Sequence, residues 1–78
     1  MTKIEVLGMG CVKCKRLFAN TEQAVKELNI TVDLVKIEKL DEITDRGVMM
    51  TPALIINDEI VAEGRVPDVK EIKALLSE

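Results

Sequence analysis

Apolar and polar positions alternate at the start of the chain and then follow a helical period. Residues 3–7 alternate and predict a strand, which ends at the Gly8-Met9-Gly10 segment. Apolar residues then recur on one helical face as far as Asn29, a residue that readily takes the left-handed conformation of a helix end. The members of that face are Cys14, Leu17, Phe18, Thr21, Ala24, Val25 and Leu28. A strand and then a helix are therefore expected.

Residues 30–37 are rich in β-branched side chains and predict a second strand. Because a helix separates this strand from the first, a right-handed crossover and a parallel pair are expected. A short helix is predicted over residues 39–46, with Leu40 and Ile43 facing inward.

The rest of the chain predicts a hairpin and a last helix. Residues 53–56 and 60–62 are apolar and flank the turn-forming segment Asn57-Asp58-Glu59. Asp68 is suited to cap a helix N-terminus, and Glu71 completes a pair resembling a capping box. The predicted order is βαβαββα, which indicates an α/β protein with a four-stranded mixed sheet.

Length and charge restrict the possible functions. The 78 residues are enough for one domain, 1–78, and Phe18 is the only aromatic residue. The net charge of -3 and the near absence of aromatic residues argue against nucleic acid as a partner. No segment has the length and apolarity of a membrane span or the pattern of a secretory signal. We therefore expect a cytoplasmic, monomeric protein whose thiols stay reduced unless they cycle.

Two cysteines, Cys11 and Cys14, stand where the first strand gives way to the first helix. The unpaired N–H groups and the positive dipole end of a helix N-terminus favour a thiolate over a thiol. Cys11 is therefore the predicted nucleophile, and Lys13 adds positive charge beside it. Cys14 lies one turn further on the apolar face and is predicted to be the less accessible, resolving thiol. Residues three apart on a helix are neighbours, which suits a short disulfide.

The sequence resembles the thioredoxin fold family. The motifs that carry the resemblance are Gly10-Cys11-Val12-Lys13-Cys14 after the first strand, Thr51-Pro52 before the third and Gly64 after the last. The resemblance covers essentially the whole chain and implies a minimal thioredoxin-like fold, a three-layer sandwich around the mixed sheet. The sequence departs from the family's pattern at Val12 and Lys13, between the cysteines. It also has no Trp before Cys11.

The resemblance also implies how such a site works. Pro52 would be cis and lie against the cysteine pair. The backbone at Thr51 would hydrogen-bond an extended substrate segment, which would lie beside it like an added strand. Gly10, Val12 and Lys13 would complete the substrate groove. The dithiol is itself the redox centre, so we expect neither a cofactor nor a metal. Partners would be disulfide-containing proteins and an electron donor, either a thioredoxin-reductase-like protein or a small thiol.

Glu5 and the Met49-Met50 pair allow two interpretations each. Many thioredoxins carry a buried acid at the position of Glu5, where it moves protons at the resolving cysteine, here Cys14. We expect instead that Glu5 lies on the solvent-facing side of the first strand, because glutamate is seldom fully buried. Met49 and Met50 would line the groove as adaptable partner surface or, as we expect, belong to the core.

A soft-metal carrier is the alternative function. Met9-Gly10-Cys11-Val12-Lys13-Cys14 also resembles the loop of small heavy-metal-associated domains, and two thiolates suit Cu(I). Zinc fits less well, because the chain has no histidine and two cysteines leave two tetrahedral positions unfilled. The second half of the chain favours the redox function, since those metal domains end in a strand and this chain is predicted to end in a helix.

Overall fold

Strand β1 (Thr2–Leu7) occupies an inner position of a four-stranded sheet in the computed structural model, which describes residues 2–77. It pairs in parallel with β2 (Val32–Ile37) and antiparallel with β3 (Ala53–Ile56). Strand β4 (Glu59–Glu63) returns antiparallel to β3, so the sheet order is β2-β1-β3-β4. The predicted mixed sheet is confirmed.

Helices cover both faces of this sheet. α1 (Val12–Leu28) and α3 (Val69–Leu76) contact each other on one face, and α2 (Leu40–Asp45) lies on the other. The predicted order βαβαββα and the three-layer arrangement are therefore confirmed. None of the helices within residues 2–77 has the length and apolar character needed to cross a lipid bilayer.

The alternation of β1 supplies one hydrophobic cluster to each face of the sheet. Ile4 and Val6 point toward α1 and α3, whereas Leu7 points toward α2. The first cluster consists of Ile4, Val6, Leu17, Ala24, Leu54, Ala62 and Ile72. The second consists of Leu7, Ile37, Ile43, Val48, Ala53 and Ile55. The two clusters hold the helices against a sheet whose strands contain no aromatic side chain.

Short-range signals end and begin the helices as the sequence predicts. Asn29 ends α1 with a φ of 53°, in the left-handed region. The Asp68 carboxylate accepts a hydrogen bond from the Glu71 N–H at 2.8 Å and so caps α3. Asn57 and Asp58 both have positive φ, as the two-residue turn between β3 and β4 requires.

Two local predictions were wrong. β2 begins at Val32 rather than at residue 30, because residues 29–31 leave α1 and turn back toward the sheet. Leu40 is 61% exposed, whereas Ile43 is buried as predicted. Helix α2 has only six residues, so a single turn faces the sheet, and Ile43 occupies that place.

Candidate active site

Cys11 caps the N-terminus of α1. Its backbone is extended, with φ -73° and ψ 167°, and its Sγ accepts a hydrogen bond from the Cys14 N–H at 3.3 Å. Gly10, with a φ of +85°, permits the turn that brings the chain from β1 into this position. Cys11 is exposed, so its sulfur is accessible to a partner while the helix N-terminus holds it.

The thiolate of Cys11 is stabilised by hydrogen bonds from Cys14. The Cys14 thiol and the Cys14 backbone N–H both donate to it, and together they lower the pKa of Cys11 from its ordinary value. No acidic side chain lies in the first turn of α1, where it would oppose a negative sulfur. The geometry therefore favours a nucleophilic thiolate at Cys11.

Cys14 has the opposite environment. It is buried, and this burial, together with its hydrogen bond to Cys11, raises the pKa of the Cys14 thiol. Its sulfur lies directly over Gly8, where a Cβ atom would come within 2.2 Å of Sγ. The two cysteines thus differ as predicted in accessibility, with Cys11 outside and Cys14 inside.

The loop between α2 and β3 lies beside the cysteine loop. A cavity of about 330 Å³ is lined by Met9 from the cysteine loop and by Thr51, together with Leu40, Ile43, Thr44, Val48 and Met49. Thr51 is exposed, Pro52 is buried, and the peptide bond between them is cis. Val12 and Lys13 are exposed at the start of α1. The fold therefore brings residues 9–13 and 48–52 to one end of the molecule.

The core placement expected for Met49 and Met50 was wrong. Met49 is 91% exposed and Met50 is 62% exposed. Val48 and Ala53 already fill the cluster beneath them, so the residues between these two positions lie at the surface. Both methionines therefore add apolar, flexible surface next to Thr51.

Sequence comparison agrees with this arrangement. The thioredoxin domain family matches residues 2–77. The chain is 40% identical to a thioredoxin of Methanothermobacter thermautotrophicus over 77 residues, which cover 99% of this chain and all of the relative. It is 41% identical to a thioredoxin of Methanocaldococcus jannaschii over 73 residues, which cover 94% of this chain and 84% of the relative. The chain belongs to the thioredoxin family.

Membership in the thioredoxin family favours thiol–disulfide chemistry over the metal-carrier alternative. Within residues 2–77, no three His, Cys, Asp or Glu side chains are grouped so that they could hold a metal ion.

Glu5 is buried in this member of the thioredoxin family, so the expected solvent-facing position was wrong. It is 3% exposed, and its carboxylate accepts a hydrogen bond from Arg46 Nε at 2.5 Å. Arg46 is the C-cap of α2 and also donates a hydrogen bond to the Glu42 carbonyl. Its guanidinium therefore lies beside the sheet, where its positive charge offsets the cost of burying the Glu5 carboxylate. The sequence gives no sign of this contact, because 41 residues separate the two partners.

The position of Glu5 also bears on its suggested proton-transfer role. Glu5 shares the α2 face of β1 with Leu7, whereas Gly8 and Cys14 lie on the α1 face. The carboxylate borders a cavity of about 280 Å³ formed with Lys3, Arg46, Ile55 and Asp58. The polar partner of the Glu5 carboxylate is Arg46, and the proton-transfer role of Glu5 stays a prediction.

Two residues near the site were missed by the sequence analysis. Gly8 provides the space that the Cys14 sulfur occupies. In the sequence, the one sign of this close contact is a glycine at the end of a strand. Glu63 accepts hydrogen bonds from the backbone N–H groups of Met49 and Met50. In the sequence, Glu63 is indistinguishable from any solvent-facing residue of an edge strand.

Proposed function

We propose that this chain reduces and exchanges protein disulfides by cycling Cys11 and Cys14 between a dithiol and a disulfide. The observation that carries the proposal is the contrast between the two thiols. Cys11 is exposed with a lowered pKa, and Cys14 is buried beside it with a raised pKa. A thiolate that attacks first and a thiol that attacks second need these two environments.

The proposed cycle conserves electrons and protons. The Cys11 thiolate attacks one sulfur of a substrate disulfide, the S–S bond breaks, and the departing thiolate takes a proton. A mixed disulfide now joins Cys11 to the substrate. Cys14 loses its proton and attacks Cys11 Sγ, which releases the second substrate thiol and leaves Cys11–Cys14 oxidised. An electron donor, either a reductase or a small thiol, returns two electrons and two protons.

The proposed substrate groove consists of Gly10, Val12, Lys13, Thr51 and Pro52. Two observations support this groove. Met9 and Thr51 line the same cavity, and the surface around that cavity is apolar and exposed. An extended substrate segment would pair with the backbone at Thr51, in the manner of a strand added to a sheet edge. The dithiol supplies the redox chemistry in this proposal, so no cofactor enters the cycle.

A redox titration with thiol trapping tests the proposal. Metal-free protein is equilibrated in dithiothreitol or glutathione buffers, alkylated and weighed, alongside Cys11→Ser and Cys14→Ser. We expect one reversible two-electron transition that forms an intramolecular disulfide in the wild type, and no intramolecular disulfide in either variant. Cys14→Ser should accumulate a mixed disulfide with a disulfide substrate, and Cys11→Ser should not.

The pH dependence of alkylation tests the roles of the two thiols. The Cys11 rate should titrate with a midpoint below the ordinary pKa of cysteine, and Cys14 should react slowly across the same range. A wild-type protein that forms no Cys11–Cys14 disulfide, and instead holds Cu(I) through both thiolates, would contradict the proposal.

A further inference from the structure

One carboxylate oxygen organises the loop that precedes Pro52. Glu63 Oε2, at the end of β4, accepts hydrogen bonds from the Met49 N–H at 2.6 Å and from the Met50 N–H at 3.1 Å. Two successive backbone N–H groups that converge on one oxygen form an anion-binding concavity, here filled by a side chain of the same protein. The loop is thus attached to β4 through a charged hydrogen-bond acceptor, which is the stronger kind.

The neighbouring residue continues this attachment. The Gly64 N–H donates to the Pro52 carbonyl at 2.9 Å. The Met50 side chain packs over Gly64, so closely that a Cβ there would lie 3.3 Å from Met50 Cβ and Cε. Residues 63 and 64 therefore contact three of the four residues 49–52.

Apart from the contact of Met50 with Gly64, little packing holds the centre of this loop. Val48 and Pro52 are buried at its two ends, but Met49, Met50 and Thr51 between them are exposed. Among residues 2–77, Glu63 provides the only side-chain hydrogen bonds to the backbone of residues 49–51. The orientation of the peptide groups next to Thr51 thus depends on this carboxylate.

We propose that Glu63 is a positioning residue for the substrate groove. The inference rests on the proposed function, in which the backbone at Thr51 pairs with an extended disulfide-containing substrate. By engaging the Met49 and Met50 N–H groups, Glu63 fixes the peptide planes that lead into Thr51. A strand added to an edge binds through backbone hydrogen bonds, so it requires those planes to be oriented before it arrives.

The role differs from that of an ordinary stabilising contact. The N–H groups that Glu63 binds belong to exposed residues, so water replaces the carboxylate when it is removed. Loss of Glu63 therefore disorders the loop without leaving buried polar groups unpaired. The fold and the cysteine chemistry persist, and binding of the substrate weakens.

The test compares Glu63→Ala and Glu63→Gln with Glu59→Ala, which removes a carboxylate from the other end of the same strand. Reduction of a disulfide-containing peptide is measured across substrate concentrations. For Glu63→Ala we expect kcat/KM to fall about tenfold through a rise in KM, the factor contributed by one backbone hydrogen bond. Glu63→Gln keeps a carbonyl acceptor and should recover most of the loss, and Glu59→Ala should match the wild type.

Further measurements separate positioning from structural damage. Amide hydrogen exchange at Met49 and Met50 should accelerate in Glu63→Ala. The alkylation midpoint of Cys11 and the redox potential should stay at wild-type values, and the urea midpoint of unfolding should fall only slightly, because both hydrogen bonds are exposed. A wild-type KM or unchanged amide exchange in Glu63→Ala overturns this proposal alone, as does a loss confined to kcat with a shifted Cys11 midpoint. A wild-type protein that reduces no disulfide overturns the proposed function and this proposal with it.

Discussion

Replacing Gly8 by alanine adds a methyl group where the Cys14 side chain already lies. The new Cβ would stand 2.2 Å from Cys14 Sγ and 2.7 Å from Cys14 Cβ. Atoms in van der Waals contact stay about 3.5–4.0 Å apart, so the segments must separate by roughly 1 Å. The Gly8 N–H donates to the Ile37 carbonyl at 2.9 Å, which ties this end of β1 to β2. The first turn of α1 is therefore the part that shifts.

The size of the effect follows from overpacking. Extra methyl groups in filled interiors cost about 1–3 kcal/mol, and Gly8→Ala belongs at the upper end because two atoms of Cys14 are overlapped. A chain of 78 residues is stable by roughly 4–12 kcal/mol. The variant should therefore fold, lose about 3 kcal/mol of its free energy of unfolding, and expose the Cys14 thiol to faster alkylation.

Urea unfolding of the reduced protein, followed by circular dichroism, measures this loss. Gly47→Ala is the matched control: its Cβ meets nothing within 4 Å, but its φ is +80°. It should lose only the cost of a left-handed alanine, about 1–2 kcal/mol. Combining Gly8→Ala with Cys14→Ala removes the 2.2 Å contact and keeps the one at 2.7 Å, so part of the loss should return. A Gly8→Ala protein as stable as the wild type, or no recovery in the double variant, would refute the reasoning.

Two further predictions concern stability. Arg46→Ala leaves the Glu5 carboxylate buried without its cation, and we expect a loss of about 2–4 kcal/mol in urea unfolding, somewhat reduced because Arg46 borders an open cavity. Adding Glu5→Gln should restore part of this loss, and a loss below about 1 kcal/mol would show that water already solvates the acid. Asp68→Ala removes the cap on the Glu71 N–H and should cost about 1 kcal/mol in the same assay. Asp68→Ser should be close to the wild type, and an Asp68→Ala protein as stable as the wild type would mean that the cap contributes nothing.

The sequence determined the fold well because its signals are local. The alternation of residues 3–7, the apolar stripe of α1 and the Asp68 cap each predict an element from residues a few positions apart. Leu40 was misplaced because the period of so short a helix does not say which of its apolar residues meets the sheet. That choice depends on where the neighbouring elements leave room.

The candidate site was only partly predictable, for the same reason. The helix N-terminus that surrounds Cys11 and Cys14 is encoded within a few residues, and the contrast between the two thiols followed from it. The contacts of Glu5 with Arg46 and of Glu63 with the Met49 N–H join distant parts of the chain. No spacing rule connects such partners, so an acid that binds arginine or a loop looks the same in the sequence as an acid that faces water.

The inner position of β1 determines when the site is assembled. Cys11 and Thr51 are 40 residues apart in the chain, and the pairing of β1 with β3 brings their segments to one end of the sheet. While the ribosome is still synthesising residues 53–56, the nascent chain already contains both cysteines. The edge of β1 that later pairs with β3 then has no partner. Closing so long a loop is entropically costly and comes late in folding. In the proposed function, both cysteines thus exist before the surface that would select their substrates, so selectivity would be acquired only when the chain closes its sheet.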